Sequence, residues 1–232
     1  MFSTPINMAF QPIVDVIERT TFAHEALVRG QNGASAKEIL ATVNTHNRHA
    51  FDQLCRITAL ESASRLRLSS FLCINFMPNA VVEPETCMNE TAEVARRLNW
   101  PLTRIILEVS ENEALLDFDH WVKILSTCRA HGVLTAIDDF GAAYAGLNLL
   151  ADFQPDFLKL DIGLVRGVAH DKVRQIIVRH TVNMCNELGI GIVAEGVEIR
   201  DDSVVLAEFG VRLQQGYLFA RPCIDRLPEV KF

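Results

Sequence analysis

Short apolar runs that end on a polar group recur along the chain. Phe22-Ala23-His24 precedes Glu25, Leu72-Cys73-Ile74 precedes Asn75, and Ile105-Ile106-Leu107 precedes Glu108. Thr135-Ala136-Ile137 precedes Asp138-Asp139, and Phe157-Leu158 leads to Lys159 and Asp161. Ile192-Val193-Ala194 precedes Glu195, and Val211-Arg212-Leu213 leads to Gln214-Gln215. Runs this short and apolar predict strands buried on both faces. Between them the spacing turns helical. Ala50–Leu68 carries Phe51, Leu54, Ile57, Ala59, Leu60 and Ala63 at helical intervals. Glu85–Leu98, Asp119–His131, Asp171–Leu188 and Arg200–Phe209 read as further helices, with Gly132, Gly189 and Gly210 placed to stop three of them. Ser35, with Glu38 three residues on, predicts a capping box.

The start of the chain departs from this rhythm. Met8–Val14 and Thr21–Val28 both read as strands, separated only by a turn-like Asp15–Thr20. So short a link predicts an antiparallel pair. The rest alternates strand and helix, which predicts a parallel α/β sheet or barrel. No linker, low-complexity tract or fixed repeat interrupts the 232 residues, so one domain over 1–232 is the economical organisation.

In a barrel, polar groups at the C-terminal strand ends mark the place of chemistry. Here carboxylates, an amide and an ammonium would converge on one mouth. Buried acids repel one another and are costly to desolvate, and divalent metal is the simplest remedy. Asp138-Asp139 can bridge two cations, one carboxylate shared and one private. An amide oxygen at Asn75 suits Mg²⁺ or Mn²⁺, and equally could cap the next turn. Glu108 with Glu111 and Glu195 with Glu198 repeat one three-residue spacing. Lys159 should stay charged among acids and can orient a water; within a strand, Asp161 would face the same way. Gly141 would let the backbone turn away after the acids. His24 faces away from Glu25 in a strand, so it reads as a packed or hydrogen-bonded histidine, and the scattered remaining histidines argue against a histidine-rich zinc site.

Composition narrows the partners. The formal charge of -7 disfavours long-range attraction to a DNA or RNA duplex or an anionic membrane. Six cysteines without a C-x-x-C pair read as buried reduced thiols. No basic leader is evident, and no apolar run approaches the roughly 18 residues of a membrane span. A soluble cytoplasmic protein is expected.

These residues resemble the EAL-domain family, the bacterial phosphodiesterases of cyclic di-GMP. The resemblance runs from Gln11-Pro12-Ile13-Val14 to Gln215-Gly216-Tyr217-Leu218-Phe219-Ala220-Arg221-Pro222. Glu25-Ala26-Leu27 is the signature tripeptide, and Asn75 matches N-x-x-P. Glu108 and Glu111 match E-x-x-E, Asp138-Asp139-Phe140-Gly141 matches D-D-F-G, Lys159-Leu160-Asp161 matches K-x-D, and Glu195-Gly196-Val197-Glu198 matches E-G-V-E. The stretches Asn75–Ala80 and Leu149–Asp156 look most like EAL domains joined to blue-light-sensing flavin domains, a sensor that this sequence does not contain.

The resemblance implies an α/β, TIM-like (β/α)8 barrel with an antiparallel strand near the N-terminus. It implies two divalent metals, Mg²⁺ or Mn²⁺, with Ca²⁺ inhibitory. Glu25, Asn75, Glu108 and Asp138 would hold the first, and Asp138 would bridge to the second, held also by Asp139 and Glu195. Lys159 would lie near the attacking water. Arg29, Leu27 and Gln215 would meet substrate, Gln215 with Glu198 also serving behind the ligands or to position water. Glu111 would support the loop after Asp139. The implied reaction opens cyclic di-GMP to linear 5′-pGpG; the alternative is a weak or inactive module that regulates by binding nucleotide or protein. A homodimer and a sensor or signalling protein acting in trans are further implied partners. One position departs from the family: Gly141-Ala142-Ala143-Tyr144 has Ala143 where glycine is common, and alanine there is strained if φ is positive.

Overall fold

A computed structural model describes residues 2, 4–111, 118–142 and 146–232. Ala143 lies outside them, and so does the backbone question it raises. The two opening strands are antiparallel: β1, Ile6–Asp15, pairs with β2, Thr20–Gly30, bringing Gln11 opposite Glu25. Six parallel strands follow: β3 (Phe71–Asn75), β4 (Ile105–Ser110), β5 (Leu134–Phe140), β6 (Phe157–Leu160), β7 (Gly191–Ala194) and β8 (Leu213–Gln215). β8 then pairs antiparallel with β1, which closes an eight-stranded barrel. A two-residue β9, Cys223–Ile224, adds to β1.

Helices wrap the outside. They are α1 (Ala36–Leu40), α2 (Arg48–Arg65), α3 (Pro84–Arg97), α4 (Phe118–Ala130), α5 (Gly146–Asp152), α6 (Ile162–Val165), α7 (Lys172–Leu188) and α8 (Arg200–Glu208). Ser35 caps α1 with the reciprocal Glu38 bonds of a capping box. Gly189 ends α7 in the left-handed region, at φ 72°. Most of the apolar core lies between barrel and helices, where Phe51, Leu60, Leu72, Ile105, Trp121 and Val178 are buried.

Inside the barrel a second, smaller cluster forms a floor: Ile13, Ala23, Cys73, Ile106, Ala136, Val193 and Leu213. Phe22, Phe71 and Phe157 meet beneath it, with ring centroids 4.9 and 5.4 Å from Phe22. Side chains two apart on a strand share a face. Two positions beyond Ala23, Cys73, Ile106, Ala136, Phe157, Val193 and Leu213 stand Glu25, Asn75, Glu108, Asp138, Lys159, Glu195 and Gln215. A polar layer therefore rests directly on a dry one. His24, on the other face of β2, is buried and lies 2.9 Å from Ser70 Oγ through Nδ1. The six cysteines are free; five are buried, and Cys223 is partly exposed, a departure from the expected burial at that position.

Candidate active site

Lys159 organises the mouth. Its side chain is 1% exposed, and Nζ lies 2.6 Å from Glu195 Oε1, 3.0 Å from both Glu108 Oε2 and Asp138 Oδ1, and 3.6 Å from Glu25 Oε2. These are charge contacts rather than well-directed hydrogen bonds. Burial opposes the ammonium, but the carboxylates around it, Asp138 foremost, hold its pKa well above the ordinary lysine value. Burial lifts Glu108 to about 8; Lys159 works against that rise, while Glu25 and Asp138 add to it. Glu195 is raised well above the usual carboxylate range by the same balance of burial and neighbouring charge. Asp139 rises to about 6, through burial first and Asp138 second.

Two carboxylate triads emerge among the described residues. Oxygens of Glu25, Glu108 and Asp138 lie within 4.8 Å of one another, and so do oxygens of Asp138, Asp139 and Glu195. Asp138 belongs to both. Adjacent residues of a regular strand face opposite ways, so Asp139 needs a local device to join Asp138. The β5–β6 register shifts between Ile137 and Phe140, and Asp139 takes a left-handed φ of 56°. The irregularity turns Asp139 toward its neighbour. Aspartate tolerates this conformation better than most residues, and Asp139 N donates to Asp138 Oδ1 at 3.1 Å. Gly141 completes the turn at φ 97°, and its N–H donates to Glu111 Oε2 at 3.0 Å. Glu111 N in turn donates to the Asp138 carbonyl at 3.0 Å, so Glu111, directly after β4, holds this turn at both ends.

The amides hold Glu25. Asn75 Nδ2 donates to Glu25 Oε1 at 2.8 Å, and Gln215 Nε2 donates to Glu25 Oε2 at 2.7 Å. Both Glu25 oxygens are thereby oriented, while neither oxygen of Glu108 receives a well-formed hydrogen bond. Beside the triads opens a groove of about 470 Å³, lined by Glu25, Leu27, Asp139, Glu195, Glu198 and Gln215. Arg29, at the end of β2, folds back so that Nη1 donates to Val28 O at 2.7 Å. Glu198 is ion-paired with Arg166 at 2.7 Å, on the exposed side of the groove.

Asp161 differs from its expected placement. β6 stops at Leu160, and Asp161 is the N-cap of α6, accepting from Gly163 N at 2.8 Å. It lines the groove but does not share the face of Lys159 through strand alternation. Gln11, Arg166 and Tyr217 also line the groove, and no motif in the sequence marks them as site residues. For Gln11 a signal was available: in β1 it stands two residues from the inward Ile13, and its register partner is Glu25.

The donor set fits hard divalent cations. Glu25, Glu108, Asp138, Asp139 and Glu195 oppose the single charge of Lys159, and every candidate ligand atom is oxygen. Two divalent ions would balance the excess if all five acids were ionised.

Known proteins share this fold. The sequence profile of the EAL domain matches residues 4–222. The crystal structure of a standalone versatile EAL protein from Vibrio cholerae O395, in its c-di-GMP-bound form, aligns with a TM-score of 0.96 at 44% identity, covering 100% of this chain and 98% of that one. The manganese and cyclic di-GMP complex of Klebsiella pneumoniae BlrP1 aligns with a TM-score of 0.93 at 35% identity, covering 99% of this chain and 59% of BlrP1. The blue light- and temperature-regulated antirepressor BluF of Escherichia coli (strain K12) is 30% identical over 226 residues, 97% of this chain. The chain spans 56% of the length of BluF. With its signature tripeptide at Glu25-Ala26-Leu27 and its profile matched almost end to end, the chain belongs to the EAL domain family.

Proposed function

We propose that this chain hydrolyses cyclic di-GMP to linear 5′-pGpG with two divalent cations, Mg²⁺ or Mn²⁺, through one domain over 1–232. The observation that carries this is the pair of carboxylate triads sharing Asp138 at the barrel mouth. Glu25, Asn75, Glu108 and Asp138 would hold one cation; Asp138, Asp139 and Glu195 would hold the other. Bound there, such cations would lower the pKa of a water and neutralise charge on the attacked phosphate. Lys159 sets its ammonium among those ligands, where it orients the attacking water and offsets negative charge. Leu27 and Gln215 face the substrate from the groove wall, and Arg29, once released from the Val28 carbonyl, meets a phosphate oxygen. Glu111 keeps the turn after Asp139 in place. Glu198 orders water at the groove edge.

Among the described residues no helix is long and apolar enough to cross a membrane. We place the protein in the cytoplasm, with a sensor or signalling protein acting in trans. A homodimer is supported by exposed Ile162, Val173, Ile176 and Ile177 on the adjoining α6 and α7.

The decisive experiment follows cyclic di-GMP and pGpG chromatographically with purified protein. Turnover is expected with Mg²⁺ or Mn²⁺, and loss of it with EDTA or with Ca²⁺, whose looser coordination suits binding better than catalysis. A second reading, a module that binds nucleotide or protein without turnover, is favoured by the antirepressor role in the name of BluF. Binding of cyclic di-GMP with no pGpG in either metal would select it.

A further inference from the structure

Outside the barrel wall lies a charge pair that the proposed reaction does not use. Asp52 and Arg56, one turn apart on α2, form an ion pair while only 2% and 1% exposed. Arg56 Nε also donates to Thr91 Oγ1 on α3 at 3.2 Å. Buried pairs of this kind seldom stabilise a fold more than well-packed apolar residues of similar volume would. Stability alone is therefore a poor account of two charges in the apolar layer between barrel and helices.

Their remaining contacts converge on one place. Asp52 Oδ1 accepts the backbone N–H of Met77 at 2.9 Å. The Arg56 guanidinium lies over the Phe76 ring, 5.3 Å from its centroid. Phe76 and Met77 directly follow Asn75, where the chain leaves β3. Phe76 N is held as well, donating to Glu108 O at 2.8 Å. The backbone beyond Asn75 is thus fixed over two successive residues, by β4 and by α2.

We propose that Asp52, backed by Arg56, is a positioning residue for Asn75. By gripping the Met77 amide it sets where β3 ends. That keeps the Asn75 amide nitrogen on Glu25 Oε1 and leaves the amide oxygen as a metal ligand. The role rests on the two-metal reading above. It concerns only the cation that Glu25, Asn75, Glu108 and Asp138 would hold; the triad of Asp138, Asp139 and Glu195 stands on β5 and directly after β7, not at the turn after β3 that the pair grips.

The test is Mn²⁺ binding by titration calorimetry, without substrate, in the full chain. Asp52→Leu with Arg56→Met removes both charges and the Met77 bond while leaving no orphan ion. Asp52→Asn with Arg56→Met keeps an acceptor for Met77. The first variant is expected to bind one of two Mn²⁺ about tenfold more weakly or worse, the scale seen when partners behind metal ligands are removed. The other Mn²⁺ should be unchanged, and the Mn²⁺ concentration needed for turnover should rise in step. The second variant should bind both ions as the parent does. Parent-like binding of both ions by the first variant overturns the positioning role. A parent that binds no Mn²⁺ overturns the two-metal reading itself, a different result from the same titration. Should the leucine variant fail to fold, Asp52→Ala with Arg56→Met replaces it. If both fail, whether or not the asparagine variant folds, the pair is a determinant of the fold and the positioning role is overturned.

Discussion

The mouth and the floor of this barrel are built by the same strands, two residues apart, and differ in nearly every physical respect. The floor is apolar, from Ile106 and Val193 down to the three phenylalanines, and gains from dry packing. The mouth gathers one lysine and four carboxylates within 3.6 Å of its nitrogen, an arrangement that packing alone would never select. Ile106 and Glu108 share a strand and a face, as do Ala136 and Asp138. The lower layer makes the barrel rigid, and the upper layer uses that rigidity to hold like charges close. Substitutions in the two layers should therefore fail in different currencies, activity above and stability below.

The sharpest break of that division is Asp138→Asn. Asp138 belongs to both triads, so kcat/KM for cyclic di-GMP should fall on the order of a thousandfold or more, with the melting temperature near that of the parent. A variant that loses its fold instead would show the mouth to be structural. Directly below, Ile106→Ala should do the reverse: about 3 kcal/mol of stability lost in urea unfolding, with kcat/KM of the folded protein within about tenfold of the parent. Lys159→Ala lies between the two. We expect kcat to fall about a hundredfold and KM to change little; a change confined to KM would remove Lys159 from the chemistry.

The smallest effect belongs to His24, on the outer face of β2. Burial holds its pKa down at about 4, against an unfolded value near 6.5. A lowered histidine pKa means that the unfolded chain takes up the proton first. Stability is therefore full above the unfolded value, falls as pH drops from about 6.5 toward 4, and levels off below. Between pH 7 and 5.5 the His24 contribution should fall by about 1 kcal/mol. His24→Asn should flatten that stretch of the stability profile; an unchanged slope would mean that His24 titrates normally.

Much of this was legible in the sequence because strand and helix periods differ and because acids at strand ends stand out against apolar runs. The antiparallel start followed from the shortness of Asp15–Thr20, and the closed barrel puts Glu25 beside both Asn75 and Gln215 as strand ends should. What escaped depends on local breaks in the pattern. Asp161 reads as a strand residue until β6 is seen to stop at Leu160. Asp139 joins Asp138 through a register shift and a positive φ, and no periodicity announces either. Asp52 and Arg56, four apart on a helix, look like any solvent-facing salt bridge; only burial gives them a task. The floor stayed hidden because Phe22, Phe71 and Phe157 are far apart in sequence and meet only when the barrel closes.

The stacking of a charged layer on a greasy one also bears on how the chain finds its pairing. A strand that slipped by two residues would keep its inward face but drop a carboxylate or Lys159 into the apolar floor. A slip of one would turn the same group out toward the apolar side of the helices. Either error strands an ion away from its partners, at a cost of several kcal/mol. The acids proposed to hold metal thus also act as register marks, checking strand alignment before any substrate arrives.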